Sequence, residues 1–158
     1  MSTPPKLDSI DRRIIDILQK DASLSIQKVG EMVGLSQNAC WRRIKTMEDE
    51  GVLKARVAVF DAEKLGYPLT VFAILRVREH SADWYKKFVS QIVSRPEVVE
   101  FYRMSGDVDY MAKLVVRDVR HYDEIYKEIV KIGPLLDVSA SFAMEDIKNT
   151  TAVPVEES

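Results

Sequence analysis

Residues 36–45 read SQNACWRRIK. Projected at about 100° per residue, Cys40, Ile44 and Met47 share one stripe of a helix, and Asn38, Trp41, Arg42 and Lys45 share the opposite one. Ser36 and Gln37 lie at its N-terminal tip. The chemistry open to such residues is recognition rather than bond making. The amide of Gln37 or Asn38 can pair bidentately with adenine, and Arg42 can take guanine, or a phosphate beside Arg43 and Lys45. A packed inner stripe with long donors outside is what a helix lying in a major groove needs. A solvated helix face looks the same, and the helix pattern alone does not choose between them. Trp41 is unusual on an outer stripe. It can pack on a sugar–phosphate edge or fold down beside the segment that follows. Cys40, on the inner stripe with no second cysteine to resolve it, suits a small hydrophobe better than a redox switch.

Residues 105–110 read SGDVDY. Gly106 permits a sharp turn and bares backbone groups. Asp107 and Asp109 can accept hydrogen bonds from an ammonium group, and neighbouring amides can donate to a carboxylate. Turns of this composition are also common as plain structure, so the residues leave both readings open. Elsewhere the sequence offers no nucleophile–base pair, phosphate-cradling glycine loop or metal-ligand cluster; neither enzymatic activity nor a cofactor is expected. His80 and His121 have no cysteine nearby and are expected on the surface rather than on a metal.

These groups need elements to hold them. In "DSIDRRIIDILQKD", Ile10, Ile14, Ile17 and Leu18 recur at the helical period, with Asp8 or Ser9 as N-cap. "SIQKVGEMVG" is a shorter helix capped by Ser25, with Ile26, Val29 and Val33 inward. Gly34 suits a left-handed end, and Gly30 a close approach by another helix. The third helix opens at Ser36 and stops at Gly51; its closing acids, Glu48 to Glu50, oppose the macrodipole and need some other support. The tight Gly-Leu-Ser connection makes a helix-turn-helix unit, and "GVLKARVAVFD" is expected as a strand that adds a wing. The polar "DAEKLGYP" marks a boundary.

Beyond it, "LTVFAILRVR", "VVEFYRM", "YMAKLVV" and "VSASFAMEDI" are expected as strands. "SADWYKKFVSQIVSRP" and "RHYDEIYKEIVKIGP" are expected as helices, the latter capped by Asp118. The order β-α-β-β-α-β is ferredoxin-like, so the chain as a whole is α+β. Two helices cover only one face of such a sheet, yet Phe72 and Ile74 alternate with Val71, Ala73 and Leu75, so both faces of that strand are apolar. The uncovered face is expected against a second copy, as a symmetric dimer.

The totals are ordinary for one or two small globular domains: 158 residues, 46% hydrophobic, 30% charged. The net charge of −2 is unevenly spread. Residues 1–60 carry ten Lys/Arg against eight Asp/Glu, and the remainder thirteen against seventeen, a weak lean towards nucleic acid in the first half. No apolar run approaches the roughly 18 residues of a membrane span, and "MSTPPKLDS" lacks a signal peptide's core. With a lone cysteine, a reducing, cytoplasmic setting is expected.

In order and spacing, "LDSIDRRIIDILQKDASLS", "VGLSQNACWRRIKTMEDEGVL", "RMSGDVDY" and "FAMEDIK" resemble the Lrp/AsnC (feast/famine) transcription regulators, over nearly the whole chain. "HSADWYKKFV" and "SASFAMEDIKNTT" resemble the DecR-like branch, whose members respond to cysteine. The resemblance implies a winged helix-turn-helix domain over 7–60, a linker over 61–69 and an effector-binding, oligomerising βαββαβ domain over 70–155. It implies double-stranded DNA as partner, with Ser36, Gln37, Asn38, Trp41, Arg42, Arg43 and Lys45 as contacts. A small amino-acid effector, cysteine among the choices, is implied at Met104, Gly106, Asp107 and Asp109, with Ser139, Ser141 and Phe142. Ser141 stands where some relatives carry a bulkier tyrosine. Also implied are homodimers that assemble to octamers and control of amino-acid metabolism genes. An architectural protein that wraps DNA with little sequence preference would carry the same helix.

Overall fold

The structure, a computed structural model, describes residues 6–78 and 81–156. They fall into two compact units. One comprises the chain up to Ala58 together with a C-terminal strip from Lys148; the other is Val59–Ile147.

The first unit holds α1 (Ser9–Lys20), α2 (Ile26–Val33) and α3 (Gln37–Asp49). Each start has a side-chain cap for its orphan amides. Asp8 accepts from the amides of Ile10 and Asp11, and Asp11 accepts from the Asp8 amide in return, a complete capping box. Ser25 caps α2 and Ser36 caps α3. α2 ends on Gly34 in the left-handed region, φ 77°. Ile14, Val29, Val33, Cys40, Ile44 and Met47 form the core, ringed by half-buried residues such as Leu7, Ile10, Leu18 and Leu35. Gly30 packs closely against the turn before α3 and against α3 itself: a Cβ there would lie 2.9 Å from the Leu35 carbonyl oxygen and 3.4 Å from Cys40 Cβ.

The expected wing is absent. Residues 51–61 contain no strand, and Val57, Val59 and Phe60 are exposed. Apolar alternation marks strand capacity only; a ladder needs a second edge, and the described residues supply none here. The strip from Lys148 runs against α1. Gln19 clamps the backbone of Val153, with Val153 N–H donating to Gln19 Oε1 at 2.7 Å and Gln19 Nε2 donating to Val153 O at 3.2 Å. Arg12 donates to the Glu156 carbonyl at 3.1 Å.

The second unit contains β1 (Leu69–Val77), α4 (Ala82–Val93), β2 (Val98–Arg103), β3 (Tyr110–Val116), α5 (Val119–Ile129) and β4 (Leu135–Phe142). The strands form one antiparallel sheet in the order β2-β3-β1-β4, the ferredoxin-like order. Val71, Ala73, Leu75 and Val77 alternate onto the helix-covered face, where Phe88, Ile92, Tyr122, Ile125 and Ile129 close the core. Phe72 and Ile74 point the other way, opposite Lys113 and Met111 on β3 and Ser141 and Ser139 on β4.

Two further expectations are corrected. The last strand begins and ends earlier than "VSASFAMEDI". Its partner β1 stops pairing at Val71↔Phe142 and closes through Ala143 N–H to the Thr70 carbonyl, leaving Met144 and Ile147 exposed. His121 is buried rather than on the surface, at 8% exposure. Its Nδ1 accepts from the Arg117 amide at 3.2 Å, and its Nε2 lies 3.5 Å from Glu97 Oε1. His80 lies outside the described residues.

Candidate nucleic-acid interface and effector site

Gln37, Asn38, Trp41, Arg42 and Lys45 are all exposed on α3 while Cys40, Ile44 and Met47 are buried. The helix therefore divides along the two stripes read from the sequence. Trp41 is 51% exposed, so it stands out from the unit rather than folding down. Ser36 is at the tip, its Oγ accepting from the Ala39 amide at 3.3 Å. Burial pushes the Cys40 thiol above its ordinary range.

Arg43 is placed differently. Three residues beyond Cys40, it is only about 60° around the helix from the buried stripe. Its side chain is 32% exposed, and Nη1 donates to Asp8 Oδ2 at 2.7 Å and to Asp11 Oδ1 at 2.8 Å. It ties α3 to the capping box of α1 while remaining partly exposed. The Asp8 carboxyl is held below the usual carboxylate range, first by the Asp11 amide and then by Arg43. The hydrogen bonds to Asp11 and Asp8 push the guanidinium up. Lys45 pairs with Asp49 at 2.8 Å, which raises its ammonium pKa, and Arg56 pairs with Glu48 at 2.7 Å. These pairs supply the support that the acidic end of α3 lacks from its dipole. Among the described residues no carboxylate pairs with Arg42.

At the sheet, Met104 N–H donates to the Asp109 carbonyl at 2.8 Å and closes the β2–β3 hairpin around Gly106, φ 105°. Asp107 is exposed. Asp109 is committed to the fold: its Oδ2 accepts from the Val77 amide at 2.8 Å and its own N–H donates to the Leu75 carbonyl. Ser139 and Ser141 lie on the open face beside Ile74 and Phe72. Phe142 alternates to the other face, where it meets the Tyr122 ring edge-on at 5.5 Å. The hairpin sits at the Leu75–Val77 end of β1 and Phe142 at the Val71 end, roughly 20 Å apart at 3.3 Å per residue. One chain therefore does not gather these residues into a single pocket.

The sequence reading missed a polar cluster on that open face. Tyr102 donates to Glu100 Oε2 at 2.7 Å, and Lys113 Nζ lies 3.2 Å from Glu100 Oε1. The Tyr102 hydroxyl, then Lys113, holds the Glu100 carboxyl low, and Glu100 raises the Tyr102 phenol. The i, i+2 spacing of Glu100 and Tyr102 in "VVEFYRM" was the available signal. Among the described residues no group of three or more His, Cys, Asp or Glu side chains could hold a metal ion.

Residues 7–48 match the AsnC-type helix-turn-helix domain and residues 70–153 the Lrp/AsnC ligand binding domain. The chain belongs to the Lrp/AsnC family. It is 47% identical over 152 residues to the glutamate uptake regulatory protein of Zymomonas mobilis, covering 96% of this chain and 93% of that one. It is 46% identical over 151 residues to the DNA-binding transcriptional activator DecR of Escherichia coli, covering 95% and 99%. A transcriptional regulator of Neisseria meningitidis in complex with L-methionine superposes with a TM-score of 0.89 at 27% identity, over 94% of this chain and 97% of that one. This Lrp/AsnC member is thus a DNA-binding transcriptional regulator with a ligand-binding domain. No described helix is long and apolar enough to cross a membrane.

Proposed function

We propose that this regulator binds operator DNA through α3 and adjusts that binding to a free amino acid, as a homodimer formed across the open face of its sheet. The observation that carries the reading is the division of α3: three apolar residues buried, five recognition-capable residues turned outward. Ser36 and Gln37 enter at the tip. Asn38 and Arg42 read base edges, Trp41 packs on the backbone, and Lys45 exchanges Asp49 for a phosphate at little cost, since an exposed ion pair contributes about 0–1 kcal/mol.

The effector reading rests on the hairpin at Met104, Gly106, Asp107 and Asp109 and on the bound L-methionine of the neighbouring regulator. Asp107 is the exposed carboxylate available to an ammonium group. Because the hairpin, the pair Ser139 and Ser141, and Phe142 lie apart in one chain, a site that uses them all draws on a second copy. Two relatives of nearly equal identity are both regulators, so likeness alone does not choose the amino acid. Cysteine is the first to test, and the genes served are those of amino-acid metabolism. Octamers built from the dimer, and a cytoplasmic setting, complete the proposal.

The test has two arms. Arg42→Ala is expected to abolish specific operator binding in fluorescence anisotropy while leaving the dimer intact in sedimentation; unchanged affinity at physiological salt refutes the role. Thermal shift against the twenty amino acids is expected to single out one or a few, and Asp107→Ala to blunt that shift. Footprinting that yields uniform coverage rather than a discrete operator would favour DNA wrapping.

A further inference from the structure

The C-terminal strip reaches α1 in a specific way. Gln19 is bonded to both backbone groups of Val153, donating to its carbonyl and accepting from its amide. This is how a side-chain amide imitates a neighbouring strand, and it reads backbone rather than side chain. About two turns earlier on α1, Arg12 takes the Glu156 carbonyl. Val155, half-buried between these anchors, lines a cleft of 540 Å³ with Ser9, Arg12, Arg13, Asp16, Ile17 and Met32. The strip is therefore held at two points along the helix. Arg12 neighbours Asp11, whose carboxylate is held by Arg43 of α3. The first turn of α1 thus connects the strip to the helix that carries the recognition residues.

We infer that the strip at 148–156 is a clasp, and that its engagement on Gln19 and Arg12 fixes α1 and, through the Asp8–Asp11–Arg43 fork, the pose of α3 for DNA. The chain passes between the two units at 58/59 and again at 147/148. The clasp is the second of these connections, and it follows directly on the segment after β4. The inference rests on α3 being the DNA-contacting helix, which Arg42→Ala tests separately.

The experiment uses the full chain. Gln19→Ala removes both bonds to Val153 at a half-exposed position where alanine is the stronger helix former, so α1 itself is not weakened. Val153→Pro removes the amide donor from the other side of the same contact. Hydrogen exchange is expected to show faster exchange at residues 148–156 in both variants, by roughly tenfold for two neutral hydrogen bonds. Operator affinity, by anisotropy, is expected to fall about three- to tenfold in both. Unchanged exchange of the strip in Gln19→Ala overturns the clasp. Faster exchange with operator affinity within twofold of wild type overturns its action on α3. If Arg42→Ala binds normally, the DNA-contact reading fails and with it the clasp's action through α3, while exchange in Gln19→Ala still decides whether the strip is held on α1.

Discussion

Gly30→Ala sets two effects against each other at a single methyl group. Alanine is the better helix former by about 1 kcal/mol, and Gly30 sits inside α2. The added Cβ, however, would lie 2.9 Å from the Leu35 carbonyl oxygen and 3.4 Å from Cys40 Cβ. The first neighbour is backbone in the turn that launches α3. That turn is also bonded to this glycine, because Leu35 N–H donates to the Gly30 carbonyl at 2.8 Å. Relief requires the turn to move by about 0.5 Å, which drags α3 off Val29 and Val33. Overpacking of this kind costs about 1–3 kcal/mol, and a backbone clash belongs at the upper end, so the net loss is about 2 kcal/mol. For a unit of this size that is roughly 8–16 °C of melting temperature. Gly34→Ala is the control. Nothing lies within 4 Å of a Cβ there, and the cost comes only from φ +77°, about 1–2 kcal/mol. Gly34→Asn should recover much of it, whereas Gly30→Asn should recover none. The assay is thermal unfolding followed by far-UV circular dichroism. A Gly30→Ala protein that melts at or above the wild-type temperature would refute the close-packing argument.

Burial of Cys40 and its raised thiol pKa lead us to expect native-state alkylation by iodoacetamide about a hundredfold slower than in urea-unfolded chain; labelling at equal rates would show an open core. Asp8 has its folded-state pKa depressed, so its contribution is complete above the unfolded value of about 3.9 and lost as the pH falls through the folded one. Melts between pH 6 and pH 2 should therefore lose stability towards acid, and Asp8→Asn, which keeps a cap, should flatten that dependence. Lys45 is proposed to meet phosphate, so in a pair of copies Lys45→Ala should make the slope of log affinity on log salt shallower by about 1.8, and an unchanged slope would refute that contact.

Local chemistry was legible wherever its partners sit within a few residues. Ser25, Ser36 and Asp118 cap the helices they were expected to cap, and Asp8 proves to be the cap of the first. Gly34 and Gly30 do the separate jobs their positions suggested. The ferredoxin-like order followed from strand alternation and turn residues. What stayed hidden depends on pairings distant in sequence. Arg43 reads as one more basic residue on a basic helix until Asp8 and Asp11, more than thirty positions away, are brought against it. His121 looks like an exposed helix start until Glu97 and the Arg117 amide enclose it. Residues 51–61 alternate like a strand and find no ladder. The clasp is polar backbone recognition by Gln19, and such contacts leave no hydrophobic period to read. The effector residues were named by likeness, and the register of β4 separates Phe142 from the serines in a way that a list of positions cannot convey.

The placement of charge on α3 also bears on how a chain of net charge −2 selects DNA. Phosphate attraction is indifferent to sequence, and each exposed cation strengthens binding everywhere alike. Arg43 is withdrawn from that pool by two carboxylates, one of them with a side chain only 15% exposed, and Lys45 is partly neutralised by Asp49. The groups left outward without an ion partner among the described residues are those proposed to report base identity or shape: Gln37, Asn38, Trp41 and Arg42. On the proposed reading, a helix so arranged would give up affinity for random sequence and keep discrimination, because each good bidentate contact is worth about 1–3 kcal/mol against the wrong base. In the proposed dimer a modest grip per copy is multiplied by joining two such helices, and the spacing between them is then the quantity that an amino acid would control.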